Sequence, residues 1–116
     1  MIHFKEEEFN CCGKPCFDKM DKHFVEMLDK ARSYTTQAFV ITSSWRSEEH
    51  NRNVGGSASS SHLTGLAVDI SAPTSSAKYE IIKALLLAGF TRLGCGANFV
   101  HCDADYNKPQ NVIWTY

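Results

Sequence analysis

The 116-residue chain has no apolar run long enough to cross a membrane. Its longest, Ala84–Ala88, is five residues, where a spanning helix needs roughly 18 or more. It has no excess of one charge either: 12 Lys and Arg meet 13 Asp and Glu, and no basic run exceeds two residues. That argues against a nucleic-acid partner held by a positive face. The stretch Met1–Asn10 is charged and carries no apolar centre of a signal peptide. The chain therefore reads as a mature or cytosolic product that needs another agent to reach the far side of a membrane. Internal repeats and long linkers are absent, and the length suits one domain, 1–116, expected to act as a monomer. The five cysteines, Cys11, Cys12, Cys16, Cys95 and Cys102, are too odd a set for a complete disulfide framework. Free thiols in a reducing compartment are the plain reading, and Cys95 and Cys102 are expected to stay reduced. A metal knot on Cys11, Cys12 and Cys16 is the alternative, with no fourth ligand in view.

The composition, 43% hydrophobic and 22% charged, is that of an ordinary globular core. Residues 1–17 read as an irregular arm anchored by Phe4 and Phe9. Asp18 is a helix cap with Asp21 in the first turn. Met20, Phe24, Met27, Leu28 and Ala31 then recur at helical spacing, which predicts a helix over Lys19–Tyr34. Phe39–Ser43 reads as a strand and Ser47–Asn53 as one or two helical turns. Val54–Ser61 is a loop, and Ala67–Ser71 is a second strand closed by Pro73. A helix capped by Ser76 runs through Ala88 to Gly89. Phe99–Asp103 and Val112–Tyr116 complete the strands. The fold class is α+β, with a small, mainly antiparallel sheet and two main helices.

Two strands carry polar residues in apolar company. Asp69 lies between Val68 and Ile70 and points away from both, because alternate strand residues share a face. A carboxylate in such a place needs a partner, and a cation is a natural one; a strand-edge Asp facing water is the other reading. In Phe99–Asp103, His101 and Asp103 share a face while Val100 and Cys102 share the opposite one. His101 alone would read as a satisfied core histidine. Together with His62 on the preceding loop, the set is two histidines and one aspartate. Three protein ligands leave one position open, the pattern of catalytic zinc.

At these residues the sequence resembles the zinc peptidases that include D-Ala-D-Ala carboxypeptidases and dipeptidases and phage endolysin endopeptidases, with the hedgehog signalling domain as a structural cousin. The resemblance runs through Glu8–Cys11, Thr42–Ser47 with His50-Asn51, Val54–Gly56, Ser60–His62 with Gly65 and Asp69, Phe99–Asp103, and Ile113–Tyr116. It implies that His62, Asp69 and His101 bind Zn2+, that Arg46 and Ser60 lie in the substrate cleft, and that the substrate is a peptidoglycan stem peptide. A guanidinium at Arg46 suits a substrate carboxylate, and a solvated surface arginine is the alternative. Ser60 is equally well a loop hydroxyl without a role.

The chain departs from the family where several members place an acidic general base, three positions before the last histidine. Here that residue is Asn98, which has no usable basicity. Asp103 is one alternative base, and a carboxylate such as Glu48 or Glu49 is another. Asp103 reads better as the group that orients His101 than as the base. The implied reaction is hydrolysis by carboxypeptidase or endopeptidase action, without a covalent intermediate. A phage lysis enzyme made in the host cytoplasm, or a bacterial product exported by another route, is the expected setting.

Overall fold

The computed structural model describes all 116 residues. A short hairpin, β1 (Asn10–Cys11) and β2 (Lys14–Pro15), precedes α1 (Lys22–Arg32), β3 (Ile41–Ser43) and α2 (Glu48–Asn53). Then follow β4 (Ala67–Ser71), α3 (Ser75–Leu87), β5 (Arg92–Cys95), β6 (Phe99–Asp103) and β7 (Val112–Thr115). The class is α+β, as the sequence leads one to expect. No helix is long and apolar enough to cross a membrane.

The main sheet has the order β3-β4-β6-β5-β7. Its first three pairings are antiparallel, and β5 with β7 is parallel. All four strands expected from the sequence therefore join one sheet, but β7 reaches it through β5. That strand, Arg92–Cys95, has no counterpart in the sequence reading. It is four residues long and contains Gly94 and Cys95, so the β-branched signal of a strand is missing.

The helix boundaries shift for local reasons. Cys16 to Met20 closes a tight 3₁₀ turn, with Lys19 N–H donating to Cys16 O and Met20 N–H to Phe17 O. This uses up the neighbourhood of Asp18, so α1 starts later and Asp21 caps it instead, accepting from Phe24 N–H at 2.9 Å. Thr74 takes the cap of α3 in place of Ser76, accepting from Ala77 N–H at 3.0 Å. Thr74 is the last residue in extended backbone after Pro73, whereas Ser76 is already helical. Ser47 caps α2 through His50 N–H.

The core lies between the sheet and the helices α1 and α3. Phe24, Leu28 and Ala31 of α1 meet Ile81 and Leu85 of α3 over Val68, Ile70, Leu93 and Val100 of the sheet. Phe24 and Phe90 pack edge to face, centroids 5.8 Å apart. Cys102 joins this core, and burial pushes its thiol above the ordinary range. The opposite face of β4, β6 and β5 is thereby left for the polar residues, and Asp69, His101 and Asp103 stand on it.

Candidate metal centre

Each of the three predicted ligands is placed by a different backbone device. Asp69 sits at the centre of β4, directly opposite His101 on β6. Cross-strand partners share a face, so the two side chains meet: His101 Nδ1 is 3.0 Å from Asp69 Oδ1. His62 comes from the 3₁₀ turn Ser61–Thr64, whose N-terminus is capped by Ser60 Oγ accepting from His62 N–H at 3.2 Å. Its Nε2 is 3.3 Å from the same Asp69 oxygen. The three donor atoms lie within 4.8 Å of one another. No other trio of His, Cys, Asp or Glu converges in this way, the Cys11, Cys12 and Cys16 group included.

The donors fit a single zinc ion. Bonds of about 2.0–2.2 Å in tetrahedral directions put ligand atoms about 3.4 Å apart, close to the 3.0 and 3.3 Å seen here. The far nitrogens are also provided for. His62 Nδ1 is 2.7 Å from Ser44 O, and a carbonyl can only accept, so that nitrogen carries the proton and Nε2 is free to ligate. His101 Nε2 donates to Asp103 Oδ2 at 2.8 Å. Outer partners of this kind fix the ring orientation of metal-bound histidines.

The electrostatics of the metal-free cluster follow from these contacts. Burial alone would raise the Asp69 carboxyl, but hydrogen bonds and charge from His101 and His62 hold it below the usual carboxylate range. Burial opposes the charging of His101, and its bonds to Asp103 and Asp69 overcome that and raise its pKa. Asp103 is lowered by His101, by Asp105 N–H and by Arg92, against its own burial.

These residues form the floor of a cleft of about 430 Å³. Arg46 and Ser60 both line it. Arg46 is no free surface arginine: Nε donates to Ser43 Oγ at 3.2 Å, Nη1 to Asn51 Oδ1 at 3.3 Å, and Nη2 lies 3.4 Å from Asp69 Oδ2. The guanidinium is thus held in a fixed plane beside the cluster. Of the carboxylates considered as bases, Glu48 and Glu49 are exposed on α2 and do not line the cleft. Asp103 lines it, but both its oxygens are taken, Oδ2 by His101 and Oδ1 by Arg92 Nε at 2.7 Å and Asp105 N–H at 3.2 Å. The geometry suits orientation of His101 and leaves no free oxygen for proton transfer. Asn98 is exposed and lies outside the cleft lining.

Several cleft residues went unrecognised from the sequence. Arg92 and Lys108 add positive charge, and Phe99, Trp114 and Tyr116 build an aromatic wall. Lys108 Nζ donates to Ser59 O and Ser61 Oγ, and Ser61 Oγ donates to Asp105 Oδ2 at 2.8 Å. This network ties the segment after β6 to the turn carrying His62. Trp114 and Tyr116 did stand in a predicted strand, but only the parallel pairing with β5 brings Trp114 to His101. Cys12 Sγ is 3.3 Å from His50 Nδ1. Burial and the adjacent Cys16 push the Cys11 thiol up to about 11. All five thiols are free.

Two histidines and one aspartate at the floor of an open cleft define a candidate mononuclear centre with a position left for substrate or water, the arrangement of hydrolytic rather than structural metal sites. The chain belongs to the Peptidase M15 family, whose model matches residues 2–103. The comparison with curated proteins gave no match.

Proposed function

We propose that the protein is a zinc peptidase that hydrolyses a peptide bond in the stem peptides of bacterial peptidoglycan, as a carboxypeptidase or an endopeptidase. The observation that carries this is the convergence of His62, Asp69 and His101 on one open cleft in a Peptidase M15 chain. Bound zinc supplies Lewis acidity toward the scissile carbonyl and the attacking water. The protein's own residues do the rest. Ser44 O and Asp103 hold the two imidazoles with the ligating nitrogens turned inward. Arg46, fixed by Ser43 and Asn51, presents positive charge where a substrate carboxylate or a polarised carbonyl would lie. The aromatic wall of Trp114 and Tyr116 limits water on one side. Digestion of purified cell wall by the zinc-loaded protein, followed by muropeptide analysis, tests the proposal and identifies the bond. New termini that vanish with a chelator are expected. Intact muropeptides at all zinc levels would overturn it.

A second reading has a specific observation in its favour. The only carboxylates lining the cleft are Asp69 and Asp103, and both are engaged. A zinc-containing module that binds wall peptide without cutting it would look the same. Sedimentation with wall, unaccompanied by cleavage, would select that reading.

The role of Asp103 separates orientation from proton transfer. Asp103→Asn is expected to weaken zinc binding by about 10–100-fold and to leave the turnover of the fully loaded enzyme nearly unchanged. A general base would behave the other way, losing roughly 100–10,000-fold in turnover with zinc retained. Chelator competition and rates at saturating zinc distinguish the two.

A further inference from the structure

Arg92 is the most deeply placed Lys or Arg of the cleft, 8% exposed. It stands at the start of β5 on the face that carries His101 and Asp103. Its Nε donates to Asp103 Oδ1 at 2.7 Å, and Nη1 donates to Pro109 O at 2.6 Å. Its guanidinium also lies over the Trp114 indole, 5.0 Å from the centroid. That indole is in turn 5.5 Å from the His101 ring. The contacts therefore close on themselves: His101 to Asp103, Asp103 to Arg92, Arg92 to Trp114, Trp114 to His101.

The residue that allows this closure is Gly94. It pairs with His101 on one side and with Trp114 on the other. Any side chain there would stand between the two rings: an added Cβ would lie 2.7 Å from Trp114 Nε1. With none, the indole folds across β5 and reaches both the imidazole and the guanidinium.

From this closed circuit we infer that Arg92 and Trp114 are positioning residues that together fix the plane of the His101 imidazole. The inference rests on the reading of His101 as a metal ligand. Two restraints are needed, for a physical reason. The bond from Nε2 to Asp103 fixes one point of the ring but leaves rotation about that axis. Asp103 itself, a short side chain, is anchored only while its other oxygen is held. Arg92 supplies the shorter, charge-assisted bond of that anchor at 2.7 Å, beside the Asp105 N–H at 3.2 Å, and its planar fork is immobilised by Pro109 O and by stacking. Trp114 supplies the second restraint, against the ring itself. Lysine at position 92 would keep the charge and lose the fork and the stack.

The test uses two readouts on the intact protein. One is the zinc dissociation constant from chelator competition. The other is the solvent exchange of the His101 Nε2–H proton, followed by NMR with labelled histidine. That proton is donated to Asp103 Oδ2. Arg92→Gln is expected to lower zinc affinity by about 10-fold and to speed Nε2–H exchange in both zinc-loaded and metal-free protein. Arg92→Lys should recover little of either. Trp114→Phe should stay near wild type, and Trp114→Ala should resemble Arg92→Gln. Unaltered exchange and affinity in a folded Arg92→Gln protein would overturn the inference. If that variant does not fold, the Trp114 pair on the edge strand decides: equal exchange in Trp114→Phe and Trp114→Ala overturns it too. A merely structural role would lower the melting temperature and leave exchange unmoved. If wild type fails to hold zinc, the functional proposal falls, while the metal-free exchange rate still decides on the circuit.

Discussion

His62→Ala is expected to leave a folded protein with neither tightly held zinc nor peptidase activity. His62 is one of three donors, and no fourth His, Cys, Asp or Glu converges with them to replace it. Two remaining ligands cannot hold the ion against a chelator, so the loss should exceed the about 10–100-fold that an outer partner costs. The fold should survive. His62 sits on a short turn capped by Ser60 and outside the apolar cluster between sheet and helices. Its removal leaves Ser44 O without its partner, a cost of about 1–3 kcal/mol. Metal content after dialysis, activity on cell wall and a thermal melt are the measurements. One zinc per chain retained in His62→Ala would show that the ion lies elsewhere.

The largest stability loss is expected from Gly65→Ala, four residues before Asp69. Gly65 has φ +73, a left-handed conformation that costs another residue roughly 1–2 kcal/mol. Space is the larger difficulty. An added Cβ would collide with the Lys19 carbonyl oxygen and lie 2.9 Å from Met20 Cα. Both are backbone, and Asp21 N–H donates to Gly65 O at 3.0 Å, so neither strand of chain can retreat cheaply. Overpacking of this kind adds typically 1–3 kcal/mol. A total of about 2–5 kcal/mol is a large share of the roughly 5–15 kcal/mol that holds a domain together. Gly55→Ala is the control. Gly55 has φ +74, but nothing lies within 4 Å of its added Cβ, so only the conformational part, about 1–2 kcal/mol, should appear. Urea unfolding of the two variants measures the difference. Equal losses would deny the close approach of Gly65 to Lys19 and Met20.

The meeting of Asp69 and His101 was legible because polar residues in apolar strands have few explanations. Asp69 between Val68 and Ile70, and His101 between Val100 and Cys102, each demanded a partner, and the structure makes them partners of each other. The contact of Asp103 with His101 followed from their sharing a face of β6. Periodicity placed the bodies of α1 and α3 and missed their ends: α1 runs over Lys22–Arg32 rather than Lys19–Tyr34, and the caps are Asp21 and Thr74 rather than Asp18 and Ser76, where Cys16 and Pro73 reset the local chain. Arg92 could not be read in this way. Its strand lacks β-branched residues, and its value depends on Asp103 from one neighbour, Trp114 from the other and Pro109 from the connection between them. Three segments distant in sequence define that site, and no local pattern reports it. Lys108 was hidden for the same reason, since its partners Ser59 and Ser61 are nearly fifty residues away.

The edge position of β7 divides the cleft into a part built into the sheet and a part attached to it on one side. The three donors and Asp103 lie within the portion matched to the family, residues 2–103, and β7 lies beyond it. β7 hydrogen-bonds to a single neighbour, β5. An edge strand has one ladder to satisfy, so substitutions there disturb fewer partners than substitutions in β4 or β6. Trp114 is held in place by Gly94, His101 and Arg92, whereas Tyr116, 71% exposed, touches the cleft from its rim. The rim of the cleft is therefore tied to the sheet by far fewer contacts than the cluster of His62, Asp69 and His101 at its floor.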